Sequence, residues 1–334
     1  VLILALAALA GCSSAGVPAE PPAVTAAGRL STPATSDRPV DCPAPTAQVS
    51  TSDDLRAALS AAGPGTVIGL ADGTYDGEFR ATAVGTEQSP IWLCGSSRAV
   101  LRGAGVDRGV VLHLNRAANW RLLGFSVTNG QKGVLADAVT ASVLQDLRVV
   151  DIGDEAVHLR ADSIGNVLRG LTISRTGLST EKFGEGIYVG SAVSNWCRVS
   201  ACRPDRSDRN LLLGNTITET TAESVDIKEG TSAGVLRDNV FDGAGLRGDA
   251  DSWVDVKGNN WLVQHNRGTS ATGSGFQVHG VLPGWGMGNV FEDNIADVQG
   301  PGYGFELRPV ADNVVACSNV AVGAAMGLSN AACR

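Results

Sequence analysis

Aromatic side chains are scarce in this sequence, 5% of 334 residues, and there are only two methionines and four histidines. A core without many large rings or thioethers has to be assembled from short aliphatic side chains. Positive charge is also short. The 26 Lys and Arg stand against 34 Asp and Glu, a formal charge of -8, which argues against a nucleic-acid partner because phosphate contacts need a basic face. The histidines (113, 158, 265 and 279) are scattered, and no Cys–His group has zinc-ligand spacing. The apolar run at the start, residues 1–11, is too short to cross a bilayer as a folded helix. What is abundant is glycine, 42 residues, together with Val/Ile/Leu triplets closed by Gly, Asn or Asp. Such a composition suits short strands and tight corners, not a helical globule.

The opening apolar run, residues 1–12, reads as the end of a signal peptide. Leu9-Ala-Gly-Cys12 resembles a bacterial lipoprotein box, in which Cys12 is the acylated residue. The chain is therefore expected to be exported and either lipid-anchored at the cell surface or secreted, with any membrane contact made through the anchor alone. Residues 13–40, rich in Ala, Ser, Thr and Pro, read as a disordered tether to a single domain over 41–334. Six cysteines remain, an even count in an exported chain. Pairing nearest neighbours in sequence gives Cys42–Cys94, Cys197–Cys202 and Cys317–Cys333, one of the many connectivities six cysteines allow.

Ser52 to Ala62 has helical apolar spacing behind a cap-like Ser/Asp start and reads as a short helix closing one end of a repeat array. From about residue 90 two units recur. One is an aliphatic triplet followed by Asn, at Asn215, Asn239, Asn266, Asn294 and Asn319, spaced 24, 27, 28 and 25 residues apart. Asn at a fixed place in each coil stacks as a hydrogen-bonded ladder. The other is an alternating strand: Glu155-Ala-Val-His-Leu-Arg160, Glu185-Gly-Ile-Tyr-Val-Gly190, Glu223-Ser-Val-Asp-Ile-Lys228, Ser252-Trp-Val-Asp-Val-Lys257, Ser274-Gly-Phe-Gln-Val-His279 and Tyr303-Gly-Phe-Glu-Leu-Arg308. Two strand types at one period predict a parallel β-helix, an all-β solenoid, and not a sandwich. A closed solenoid with capped ends also suggests a monomer. The rhythm breaks at an insert over residues 190–210, which holds Trp196, and again at a smaller loop over 280–288.

Stacking the six strands produces outward columns. One holds Arg160, Lys228, Lys257, His279 and Arg308; its neighbour holds His158, Tyr188, Asp226, Asp255, Gln277 and Glu306; a third is small except for Trp253. Glu155, Glu185 and Glu223 stand just before their strands. Coil spacing of about 4.8 Å brings Asp226 beside Asp255 and Lys228 beside Lys257, and like charges that close need relief by a ligand, a metal or a shifted pKa. This pattern points to β-elimination on an acidic, uronic-acid polysaccharide. The C5 proton becomes removable once the adjacent carboxylate is neutralised by a cation on Glu223 and Glu185 or by Lys and Arg. Lys228, depressed by its like-charged neighbour Lys257 with Asp226 opposing the effect, is the expected base. Asp226, Asp255, Arg160, His279 and Arg308 are the expected polar substrate contacts, and Tyr188, Trp253 and Trp196 the stacking surfaces.

On this pattern the chain resembles the chondroitinase-B and alginate-lyase family of right-handed parallel β-helices. Pro64-Gly-Thr-Val-Ile-Gly-Leu-Ala-Asp-Gly-Thr-Tyr75, Gly85-Thr-Glu-Gln-Ser-Pro-Ile91 and Leu122-Leu-Gly-Phe-Ser-Val127 match the opening of that family, and Glu223-Ser-Val-Asp-Ile-Lys228 its Glu-x-x-x-x-Lys strand. The resemblance implies that Glu223 binds calcium and that Lys228 abstracts the proton. The family's Arg one coil later falls at Lys257, and its second calcium-ligand Glu at Thr221. The chain is also similar to actinobacterial β-helix lipoproteins sharing Asp-Ser-Trp-Val-Asp-Val-Lys-Gly258. Two other readings fit the same columns: a glycoside hydrolase using Asp226, Asp255 and Glu223, or a surface protein that grips glycan without cleaving it. The polygalacturonase signatures that would favour the hydrolase are absent.

Overall fold

The computed structural model describes residues 38–334. The signal-peptide end, Cys12 and nearly all of the 13–40 tether lie outside them. Within the described residues the chain winds as a parallel β-solenoid of three sheets with 11, 10 and 9 strands. Each complete coil contributes one strand to each sheet, the end turns being partial, and every strand pairing is parallel. The expectation of two strand types misses the third sheet, made of three-residue pieces such as Arg148–Val150, Thr172–Ser174 and Thr216–Thr218. Each sends only its central residue, Val149, Ile173 or Ile217, into the main core, so no alternating aliphatic pair marks it in the sequence. The winding also starts earlier than residue 90, since Ala47–Val49 pairs with Val67–Leu70, and Val67–Leu70 with Ile91–Cys94.

Helix Ser52–Ala61 is capped by Thr51, whose side chain accepts from the Asp54 N–H, one residue before the predicted start. It buries Leu55 and Leu59 against the first coil and so closes the apolar interior at that end. Inward positions are Val, Ile and Leu along most of the solenoid, with a ring cluster near the far end where Phe276 stacks on Phe305 at 5.1 Å.

The Asn ladder forms as its spacing implies. Asn239 Oδ1 accepts the Asn215 N–H at 2.9 Å and its Nδ2–H at 2.8 Å, Asn266 does the same for Asn239, and Asn294 and Asn319 continue the series. Each buried corner amide is thereby satisfied by the next coil. A second ladder, Asn166 to Asn210, lies one corner away. All three expected disulfides are present: Cys42–Cys94, Cys197–Cys202 and Cys317–Cys333.

Two aromatic expectations are overturned here. Trp253 does not face outward; it is fully buried, its Nε1–H donates to Thr269 O, and its ring packs edge-on to Phe276. It precedes the strand Val254–Val256 and sits at the corner, where strand alternation does not apply. Gly268 and Gly275 make room for it, because a Cβ on either would meet the indole. Trp196 is also buried; its Nε1–H donates to Ser191 O inside the insert, so the ring supports that loop from within.

Candidate active site

Parallel pairing places the columns in register, with His158 opposite Tyr188, Tyr188 opposite Asp226, Asp226 opposite Asp255, and then Gln277 and Glu306. On this face lies a cleft of about 610 Å³. Its floor comes from three successive coils and includes Tyr188, Asp226, Lys228 and Lys257. One wall is the insert, through Ser194, Asn195 and Arg198; the other is the loop carrying Arg247 and Asp249. Lys182 and Phe183, on the short 3-10 turn Glu181–Phe183, stand at the rim, and Lys132 and Arg160 close one end.

The floor is an alternating ion network, not a stack of like charges. Lys228 Nζ lies 2.5 Å from Asp226 Oδ2, and Lys257 Nζ lies 2.8 Å from Asp226 Oδ1 and 2.6 Å from Asp255 Oδ2. A lysine stem is long enough to lean back to the preceding coil, which fixed spacing along a strand does not reveal. Burial works against both ammonium charges, but Asp226 outweighs it and holds both amines above the ordinary lysine range. The expectation that Lys257 depresses Lys228 is therefore wrong in sign, because a carboxylate separates the two cations.

Asp226 and Asp255 are 2% and 4% exposed, so they brace the lysines from beneath instead of contacting a ligand over a broad face. His279 Nδ1 lies 3.0 Å from Asp255 Oδ2, and this carboxylate holds the imidazole above its usual pKa. His279 and Arg308, which pairs with Glu306, are not among the cleft-lining residues, and the structure does not bring them to the floor. Arg160 does line the cleft, but its guanidinium is engaged by Asp137 at 2.6 Å. Tyr188 faces the cleft with Lys228 Nζ 5.0 Å above its ring and His158 edge-on at 4.4 Å. Burial, reinforced by Asp226, lifts its phenol well above the ordinary tyrosine range, so the hydroxyl keeps its proton.

Glu185, Glu223 and Asp226 each bring an oxygen within 4.8 Å of the others. Burial and then the Asp226 charge push Glu223 up to about 7 and Glu185 well above the usual carboxylate range. Glu185 Oε2 is buried with no hydrogen-bond partner. Three hard oxygen donors, one of them unsatisfied, fit a calcium-type cation. Both predicted metal ligands are thus brought together, with Asp226 as the third. Thr221 takes no part, because its hydroxyl donates to Glu181 O.

Residues that sequence reasoning missed are Lys132, Lys182, Phe183, Arg198 and Arg247. Lys182, Phe183 and Arg247 stand on turns and loops and Arg198 on the four-residue helix Trp196–Val199 of the insert, where no strand periodicity marks them. Lys132 pairs with Glu155, whose second oxygen lies 3.5 Å from His158 Nδ1.

No family model matches the chain, and no curated protein matches it in sequence. Solved structures do. An alginate lyase from Paenibacillus sp. str. FPU-7 superposes with a TM-score of 0.78 at 34% identity, over 85% of this chain and 97% of that one. Pectate lyase Pel9A superposes at 0.56 with 15% identity, over 79% of this chain and 73% of the enzyme. The enzymatically active domain of bacteriophage CBA120 tailspike protein 2 superposes at 0.57 with 9% identity, over 80% of this chain and 40% of that one. The last two share the fold alone. With a third of its residues identical across nearly the whole Paenibacillus enzyme, this chain belongs to the parallel β-helix polysaccharide lyase family that includes that alginate lyase.

Proposed function

We propose that the chain cleaves a uronic-acid polysaccharide by β-elimination, with alginate the first substrate to test. The observation that carries this reading is the meeting of Lys228, Tyr188 and Lys257 on the floor of a cleft rimmed by further cations. An acidic polymer is drawn to such a cleft despite the net charge of -8, because local cations decide the field there.

In this mechanism Lys228, which Asp226 keeps protonated in the free cleft, must first release that proton to solvent, and the neutral amine then takes the C5 proton. The electron pair moves onto the neighbouring carboxylate as an enediolate, stabilised by the Lys257 ammonium. As the pair returns to form the C4–C5 double bond, the C4–O bond breaks, and the departing oxygen takes the Tyr188 hydroxyl proton. Lys228, now protonated beside the Tyr188 ring, returns a proton to the phenolate and closes the cycle. Calcium held by Glu185, Glu223 and Asp226 would supply positive charge to offset both Asp226 and the substrate carboxylate.

The hydrolase alternative fits this geometry less well. An inverting pair needs carboxyls about 6.5–9.5 Å apart with room for a water. Here Asp226 and Asp255 are bridged by Lys257, and Glu223 lies against Asp226.

The test is a screen of alginate, pectate, chondroitin and heparan-type chains, with calcium and with chelator. A lyase produces ultraviolet absorbance from the new double bond. New reducing ends without it would identify a hydrolase, and binding without either a lectin.

A further inference from the structure

One wall of the cleft is fixed from below by a carboxylate that the elimination does not use. Glu229, 1% exposed, follows Lys228 directly, and its Oε1 accepts the Val193 N–H at 2.6 Å. Its Oε2 is buried without a partner. Burying a half-satisfied carboxylate is costly, and the cost here holds the start of the insert. Further restraints follow along the same segment. Trp196 Nε1–H donates to Ser191 O at 2.9 Å, the Ser200 and Cys202 N–H groups both reach Trp196 O, and the Cys197–Cys202 disulfide closes the turn.

What this rigid segment presents to the cleft is Ser194, Asn195 and Arg198. Arg198 is exposed, and its Nη2 donates to Asn195 Oδ1 at 3.2 Å, which aims the fork. Among the described residues no carboxylate pairs with it. Of the other cleft cations, Arg160 is committed to Asp137, Lys132 to Glu155, and Lys228 and Lys257 to Asp226, while Lys182 and Arg247 stand at the rim and on the facing wall. A planar guanidinium with free donors matches a carboxylate in two-point fashion, which an ammonium does not.

We propose that Arg198 is a specificity-determining residue that receives a substrate carboxylate, and that Glu229 is the positioning residue tying its wall to the coil that carries Lys228. This rests on the polyuronate reading above. The wall and the proton-abstracting group then move as one unit, so a sugar carboxylate gripped by Arg198 is indexed to the Lys228 amine. Uncharged sugars gain nothing from that grip.

The experiment uses the full chain with the polyuronate it cleaves, and calorimetry in a Lys228→Ala background for binding. Arg198→Ala should weaken polyuronate binding about tenfold, the scale of one lost charge-assisted contact. It should also flatten the salt dependence of Kd and leave binding of a carboxyl-reduced polymer unchanged; Arg198→Lys should recover part of the loss. In cleaving protein, Arg198→Ala and Glu229→Ala should each raise KM with kcat within about twofold. The double variant should be no worse than either alone, since the two share one function. Glu229→Gln keeps the acceptor oxygen and should stay near wild type, which separates positioning from a general folding defect.

Unchanged KM and salt dependence in Arg198→Ala, or additive losses in the double variant, overturn the inference. If the Lys228→Ala protein binds polyuronate and the added Arg198→Ala change alters nothing, this inference falls and the lyase reading stands. If the unaltered protein neither binds nor cleaves any polyuronate, both fall.

Discussion

The Asp226 carboxylate reaches across to the next coil and accepts a 2.8 Å hydrogen bond from Lys257 while its other oxygen holds Lys228. This buried acid raises the pKa of both floor amines, with Asp255 adding to its pull on Lys257. Asp226→Asn should lower the pKa of each, as followed by NMR of labelled lysine side chains. If both amines still titrate above the ordinary lysine range in that variant, Asp226 is not what holds them there.

Removing either partner of the proton transfer should lower kcat far more than it changes KM. General acid–base groups contribute about 10²–10⁴-fold, so Lys228→Ala and Tyr188→Phe should each lose activity on that scale. The new-double-bond absorbance assay reads this directly. Full activity in Tyr188→Phe would move the proton donor elsewhere.

The acidic trio makes calcium binding depend on pH in a definite direction. Glu223 is raised to about 7 and Glu185 is also raised well above the usual range, so the folded protein holds these protons more tightly than the unfolded chain. That contribution to stability is complete below the ordinary carboxylate range, and the Glu223 share of it is lost as pH rises through about 7. Calcium should offset the loss, so its gain in Tm should be larger at pH ~8 than at pH ~5, where protons compete for the same oxygens. The gain should disappear in Glu223→Gln. No gain at either pH counts against a cation on this cluster.

Asp137, the partner of the cleft-lining Arg160, shows the opposite linkage. Burial opposes its charge, but hydrogen bonds from His113 and Arg160 prevail and hold its carboxyl below the usual range. Its stabilisation is present above the ordinary carboxylate pKa and is lost as pH falls through the lowered one. Tm should drop on acidification below pH ~4. Asp137→Asn should be less stable at neutral pH and show a shallower acid decline.

Trp253 and Asn266 should act on stability alone. Trp253→Ala removes a fully buried indole, a loss of about 3–5 kcal/mol in denaturant unfolding. Asn266→Ala breaks the ladder and strands the Asn239 amide, costing about 1–3 kcal/mol. Wild-type kcat in the folded fraction of Trp253→Ala would confirm that the ring is scaffold; a selective loss of sugar binding with unchanged stability would return it to the surface.

The sequence by itself determined the solenoid, the coil period, the Asn ladder and the register of His158, Tyr188, Asp226 and Asp255. These follow from repetition: a parallel strand has period 2, and one coil fixes the offset to the next. It also indicated the pairing of the cysteines and the convergence of Glu185 and Glu223. Only the tertiary structure decided what each column does. Trp253 turned inward because a corner residue is not bound by strand alternation. Lys228 and Lys257 became firmly protonated because flexible stems brought them to a shared carboxylate. Phe183 and Arg247 reached the cleft on aperiodic turns and loops, and Arg198 on a short helix of the insert whose path depends on the buried Glu229 carboxylate, a contact that no local pattern encodes.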